Sequence, residues 1–242
     1  MRVLAIDTSH NEGSVALVDA SASPFAAQVL ASASARVSNA HGEALVPLID
    51  AVLRSAGVSL EAIDLLAVGI GPGSFTGTRI GVATAKGLAI GSGKPLRGVD
   101  SFEALAADAR ASSGSEVAVA IDARKGEVYL AVLAVRDDDV ARLTEPIHAR
   151  PGEAWARMER DVPPFAIGDG AALVPELAAR ARLRVGIDSP RAAAIAALAG
   201  ARQLRAPIDE VDVLEPLYVR PPDITLPKTK PGMPGPRAGS TK

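Results

Sequence analysis

Apolar positions fall along the chain in short runs separated by turn residues, and the period of the runs changes in a repeating order. Arg2–Asp7 and residues 13–18 are nearly continuous aliphatic stretches and read as strands, joined through Asn11, Glu12 and Gly13. A third strand is expected at 25–33. From 43 to 55 the period lengthens. Leu45, Leu48, Ile49, Val52 and Leu53 share one helical face, Pro47 marks a start or a bend, and Gly57 closes the helix. A buried strand follows at 65–68, then a helix, a strand at 96–99 and a helix capped by Ser101. The order then begins again. Strands are expected at 117–121, 127–135 and 140–147, a helix at 152–160, a strand at 165–167 and a helix at 173–181. A strand at 185–187 and a helix from Ser189-Pro190 to Gln203 complete it. Both halves read β-β-β-α-β-α-β-α, a duplication of element order and not of residues.

The helix after the fourth strand carries Gly71-Pro72-Gly73-Ser74-Phe75-Thr76-Gly77-Thr78-Arg79-Ile80-Gly81-Val82-Ala83-Thr84-Ala85-Lys86-Gly87-Leu88-Ala89. Glycine inside a helix costs about 1 kcal/mol relative to alanine, so Gly77, Gly81 and Gly87 need a reason. Gly77, Gly81 and Ala85 recur every fourth residue and leave one bare stripe, which lets a second backbone approach closely. The stripe is expected to be a docking surface; close packing within the chain's own core is the alternative. A phosphate loop is a poor fit. No Gly-Lys-Ser/Thr closes the turn, Gly69, Gly71 and Gly73 lack the third glycine of a dinucleotide fingerprint, and Pro72 replaces the first glycine of a Gly-x-Ser-x-Gly elbow at Ser74.

The 242 residues suffice for two lobes with their own cores. Aromatic residues make up only 3% of a chain that is 48% apolar, so the core is aliphatic and finely packed. Without cysteine there is neither a disulfide framework nor a thiolate metal site. Asp7 interrupts the first apolar run too early for a signal peptide, and no apolar run approaches ~20 residues, so a cytoplasmic protein without membrane contact is expected. A net charge of −2 argues against this chain alone gripping nucleic acid. Residues 221–242 carry Lys228, Lys230, Arg237 and Lys242 against Asp223, a net +3, together with six prolines. That tail is expected to be disordered and solvated, with a weak RNA-touching arm as the alternative.

Two such lobes in tandem resemble the actin-like and sugar-kinase-like ATPases, an α/β fold in which residues 1–112 form the first lobe and 113–220 the second. The final helix could return to lobe one. Ile6-Asp7-Thr8-Ser9 and Ile121-Asp122-Ala123-Arg124-Lys125-Gly126 end the first strand of each lobe. In that fold these hairpins face each other across a cleft. Asp7 and Asp122 would fix a cation or activate a nucleophile, while Thr8, Ser9, Arg124 and Lys125 would cradle oxygens. The alternative is that each acid merely caps its hairpin turn. Gly168 and Gly170 stand where such folds hold adenosine.

These stretches, with His41-Gly42-Glu43-Ala44-Leu45-Val46-Pro47-Leu48-Ile49 and Glu215-Pro216-Leu217-Tyr218-Val219-Arg220, resemble the bacterial TsaB family of tRNA threonylcarbamoyladenosine biosynthesis proteins, once grouped with the M22 glycoprotease homologues. The matches are scattered over residues 1–220, and the block at 71–89 is the strongest. The resemblance implies a non-catalytic partner of a larger relative, TsaD, which transfers a threonylcarbamoyl group to the adenosine beside the tRNA anticodon. A small ATPase, TsaE, joins the assembly. The helices around 43–55 and 75–90 would build the TsaD contact, and the same surface can form a homodimer. On that basis the partner-docking residues are Leu45, Leu48, Val52, Phe75, Thr76, Gly77, Thr78, Ile80, Gly81, Thr84, Ala85 and Leu88. No tightly bound cofactor is implied, with ATP or ADP at the heterodimer interface as the one candidate, and tRNA is reached only through the complex.

The residues themselves also speak against catalysis. TsaD-type relatives place two histidines four apart on a helix, where both reach one metal; here His10, His41 and His148 are not so spaced, so no metal is expected. A serine–histidine pair with an orienting acid is lacking as well. The competing hypothesis is a standalone metallopeptidase or small-molecule kinase of the same fold, and a nucleotide-gated, filament-forming protein is a third.

Overall fold

Arg2–Asp7 (β1) is buried on both faces, and the strand period sends its side chains to two different cores. Val3 and Ala5 point one way, Leu4 and Ile6 the other. The computed structural model describes residues 1–36, 41–109, 111–184 and 186–220, with nothing said of the side chains at 41–43. Glu12–Asp19 (β2) pairs antiparallel with β1, and Gln28–Arg36 (β3) with β2. Leu65–Gly69 (β4) pairs parallel with β1, and Leu96–Val99 (β5) with β4, giving the order β3-β2-β1-β4-β5. His41–Ala56 (α1) and Phe75–Ser92 (α2) cover one face of this sheet. Pro47 lies inside α1 rather than at its start.

The second sheet repeats the plan. Glu116–Arg124 (β6) and Glu127–Val135 (β7) are antiparallel, and Phe165–Ile167 (β10) and Arg182–Arg184 (β11) extend the sheet in parallel. Val140–Arg142 (β8) and Ile147–Ala149 (β9) both pair with β7, where one strand was expected. The intervening turn holds Pro146, which cannot donate to a ladder, and Thr144, whose hydroxyl accepts from Val132 N–H at 3.0 Å. The outer face is covered by the short helices Pro151–Ala154 (α4) and Pro175–Arg180 (α5) and by Trp155 and Met158. A 3₁₀ turn at Ala156–Met158 replaces the second half of the helix expected at 152–160.

Between the sheets lie Ser101–Asp108 (α3) and Ala192–Arg205 (α6), and they change sides. Helix α3 packs on β6, β7 and β8, and α6 packs on β1, β2, β4 and β5. The packing therefore crosses the division expected at residue 112, and the final helix belongs with the first sheet. One shared core results, with Val3, Ala5 and Val99 on one wall and Val117, Val119 and Ile121 on the other. Arg202 on α6 clamps it, bonding Glu103 at 2.8 Å and Asp139 at 2.9 Å. Burial alone would lower the pKa of Arg202, but those two carboxylates outweigh it and hold the group above its ordinary value.

Two caps differ from expectation. Asp100, not Ser101, caps α3, accepting from Glu103 N–H at 2.9 Å in a full capping box. Helix α6 opens two residues beyond Pro190, and its Ala192 N–H is taken by the Ser14 hydroxyl of β2 at 3.0 Å, a cap supplied from the other half of the chain. The third strand begins at Gln28, later than expected, after a 3₁₀ turn at Pro24–Ala26. The strand expected at 185–187 lies instead at Arg182–Arg184, and residue 185 is outside the described residues. The tail 221–242, expected to be disordered, also lies outside the described residues.

Candidate functional site

The end of the first hairpin, expected to face a cleft, is sealed. Asp7, Thr8, Ser9 and His10 are all buried. The covering element is α2, through its glycines. A Cβ on Gly73 would lie 2.2 Å from Ser9 O, one on Gly77 2.0 Å from Thr8 O, and one on Gly81 2.4 Å from Thr8 Oγ1. Thr8 Oγ1 donates to Gly77 O at 2.7 Å, Ser74 N–H donates to Ser9 O at 2.5 Å, and Ser74 Oγ caps the helix by accepting from Gly77 N–H. The bare stripe thus faces the chain's own hairpin. Gly77, Thr78, Gly81 and Ala85 are interior, which corrects their reading as docking residues. Leu45 and Val52 are likewise core, 3% and 1% exposed, because they point from α1 onto the sheet.

Sealing sets the electrostatics. Asp7 accepts from the Ser9 hydroxyl at 3.0 Å and Ser9 N–H at 3.3 Å, both on Oδ2, while Oδ1 has no partner and lies against Gly69. Burial raises the Asp7 carboxyl to about 7, with the Ser9 bonds opposing. His10, whose Nδ1 is 2.9 Å from Ser9 Oγ, is pushed down to about 4 by burial and then by the charge of Arg124. Ala123 and Arg124 of the second hairpin line one cleft with Gly73 and Ser74 at the start of α2.

In the second hairpin, Asp122 serves its own turn. It accepts from Arg124 N–H at 2.7 Å and pairs with the Arg124 guanidinium at 3.3 Å, while Arg124, Lys125 and Gly126 all adopt left-handed backbone. Gly168 and Gly170 are needed for close approach to β6. Their Cβ atoms would lie 2.2 Å from Ala120 O and 2.8 Å from Ile121 C, and Gly170 N–H donates to Ala120 O at 3.0 Å. Asp169 between them accepts from Asp122 N–H at 2.8 Å, and burial raises its pKa. Asp122, Arg124, Gly168 and Gly170 thus cluster at the end of β6, while the polar groups of Thr8 and Ser9 serve α2 and Asp7. Among the described residues no three of His, Cys, Asp or Glu are grouped to hold a metal ion.

The outward side of α2 is different. Phe75, Thr76, Arg79, Ala83, Gly87 and Ile90 are exposed, with Ile80, Thr84 and Leu88 half-buried beside them. Ile90 is 74% exposed and Val46 on α1 is 59% exposed. A Cβ on Gly87 or Gly91 would meet nothing within 4 Å. Phe75, Thr76, Ile80, Thr84, Leu88 and Leu48 stay on or beside this face. Val46, Ala83, Gly87 and Ile90 share this exposure and lie within the spans 43–55 and 75–90, although none was among the named docking residues.

Sequence reasoning also gave the segment around 214–220 no task. It straps the two halves together. Leu214 packs on Gly98, Leu217 N–H donates to Ile70 O at 2.7 Å, and Tyr218 accepts from Arg79 Nε at 2.8 Å. Arg220 then reaches Glu127 on β7 at 3.0 Å, which also bonds His148 at 2.8 Å. A cleft of about 340 Å³ remains between strap, α2 and the second hairpin. A larger groove of about 890 Å³, between β2–β3 and the start of α6, is lined mainly by small side chains.

The fold defines an α/β protein of the actin-like class, two sheets of repeated topology about a shared core, with its first hairpin closed by its own helix. Residues 31–166 match the family model described as TsaD: tRNA N6-adenosine threonylcarbamoyltransferase. The tRNA threonylcarbamoyladenosine biosynthesis protein TsaB of Haemophilus influenzae is 30% identical over 229 residues, 91% of this chain and 94% of that protein. The Escherichia coli protein of the same name is 40% identical over 132 residues, a match spanning 54% of each chain. The structure titled YeaZ from Pseudomonas aeruginosa superimposes with a TM-score of 0.74 at 30% identity, covering 90% of this chain and all of that one. The chain belongs to the TsaB family, whose members are named for tRNA threonylcarbamoyladenosine biosynthesis.

Proposed function

We propose that this chain is a non-catalytic subunit that docks a larger TsaD-type relative and supports its transfer of a threonylcarbamoyl group to tRNA beside the anticodon. The observation that carries the reading is the outward face of α1 and α2. Val46, Ala83, Gly87 and Ile90 present small or aliphatic groups to solvent, and Gly87 carries no side chain into the space beside it. A glycine that no internal contact requires, beside a 74% exposed isoleucine, suits a helix face that another helix covers. The closed Thr8–Ser9 hairpin supports the non-catalytic part, since the Thr8 hydroxyl already donates to Gly77 O of α2 and the Ser9 carbonyl already accepts from Ser74 N–H.

The same face seats either the TsaD-type partner or a second copy of this chain, and a TsaE-type ATPase joins the larger assembly. ATP or ADP sits, if anywhere, at the heterodimer seam, and tRNA is met only through the complex, in the cytoplasm. No helix among the described residues is long and apolar enough to cross a membrane. A specific contact of this kind covers at least ~1,000 Å² in total. Reconstitution tests it: tRNA modification by the TsaD-type relative should require this chain. Substrate-dependent turnover by this chain alone would favour a standalone peptidase or kinase instead.

A further inference from the structure

Helix α6 packs on β1, β2, β4 and β5 and leaves much of the outer strand β3 uncovered, and the groove of about 890 Å³ runs along that edge of the sheet. Phe25 and Val29 line the groove and stay 44% and 49% exposed. A single exposed apolar side chain is ordinary, but two within one concave surface mark a place that something covers. The volume lies near the upper end for ligand-sized sites (~300–1,000 Å³), room for several residues of extended chain.

The charge of the lining selects the occupant. Its ionised groups are Glu12, Asp108, Asp188 and Arg191. Arg191 is spent on Asp108, which it bonds at 2.5 and 2.9 Å, so Glu12 and Asp188 are left to set the sign. Glu12 accepts from the neutral Ser34 hydroxyl at 2.5 Å, and among the described residues no cation pairs with Glu12 or Asp188. Residues 221–242 carry the opposite sign, a net +3 in a chain of net charge −2, and include the apolar Met233. They leave the described fold at Arg220, which Glu127 anchors at 3.0 Å. Fully extended, these 22 residues reach about 70 Å, against a diameter of about 45 Å for a compact chain of the preceding length. The groove is therefore within reach of the anchor.

We propose that residues 221–242 fold back into this groove of their own chain, Met233 against Phe25 and Val29, and Lys230 and Arg237 against Glu12 and Asp188. The outward face of α1 and α2 takes no part, so the assignment does not depend on the partner reading. Tethering supplies an effective concentration in the millimolar range, so a contact of ~1 mM between separate molecules is about half occupied within one chain.

The chain has no cysteine, so Ala238→Cys in the full chain gives one attachment point for a nitroxide spin label. Amide spectra of the isotope-labelled protein are recorded with the nitroxide oxidised and then reduced. The signals of Val29, Ser32 and Ser34 in the groove should fall to about half or less while the label is oxidised, as half occupancy requires. Lys230→Glu with Arg237→Glu in the tail should restore them, and adding Glu12→Lys with Asp188→Lys to that variant should bring the loss back. A mixture of isotope-labelled parent with spin-labelled chain of natural isotope content separates the sources. Loss of the groove signals in that mixture would mean the tail of a second copy and would overturn folding back within one chain. No loss at the groove, or a loss that charge reversal in the tail leaves unchanged, would overturn the assignment as well.

Discussion

The two sides of α2 are built from the same kinds of residue and do opposite jobs. On the inner side Gly73, Gly77 and Gly81 are bare because backbone and hydroxyl oxygens of Thr8 and Ser9 occupy the space a Cβ would need. On the outer side Gly87 is bare with nothing beside it. A stripe of small residues therefore does not reveal what covers it. Only the distance to the nearest neighbour separates a seam within the chain from a surface left open for another.

The difference can be broken open first at the charge the inner side seals in. An acid whose folded pKa lies above its unfolded value holds its proton more tightly when folded. The contribution of Asp7 is therefore complete below about pH 4 and is lost as pH rises through about 7. Asp7→Asn removes that loss, so its stability relative to the parent should improve by about 4 kcal/mol between pH 4 and pH 8, read from urea midpoints. His10 acts in the other sense, since its lowered pKa costs stability as pH falls from 6.5 through about 4. Comparing variant with parent at each pH removes that limb. A difference that stays flat with pH would mean Asp7 is not sealed.

The glycines themselves come next. Gly77→Ala drives a methyl into Thr8 O and should cost about 3 kcal/mol, at the upper end for overpacking, because a backbone atom cannot step aside. Gly81→Leu also overpacks, against the Thr8 hydroxyl, which its bond to Gly77 O holds in place. Gly87→Ala should do the reverse and stabilise the isolated chain by about 1 kcal/mol, the ordinary gain of alanine over glycine in an exposed helix. Equal effects at 77 and 87 in chemical denaturation would erase the distinction between the two sides.

Much of the fold was legible because strands such as β1 and β6, buried on both faces, appear as unbroken aliphatic runs. The repeat of element order needed nothing more. What stayed hidden was tertiary. Ser14 capping α6 and the exchange of α3 and α6 between sheets leave no local mark. That Asp7 and Asp122 each end the first strand of a sheet was readable, but their preoccupation by Ser9 and Arg124 was not. Helical spacing placed Gly77, Gly81 and Ala85 on one face and could not say that Thr8 lay under it.

The outward face carries the functional reading, so the most direct measurement is complex formation by a variant altered only there. Gly87→Glu combined with Ile90→Glu places two carboxylates where nothing within this chain is touched at 87 and where 90 is already exposed. Mixed with the TsaD-type partner and run on a sizing column, the variant should keep the parent's thermal midpoint within a few degrees and elute alone. Elution with the partner at the parent's yield would contradict the assignment of this face.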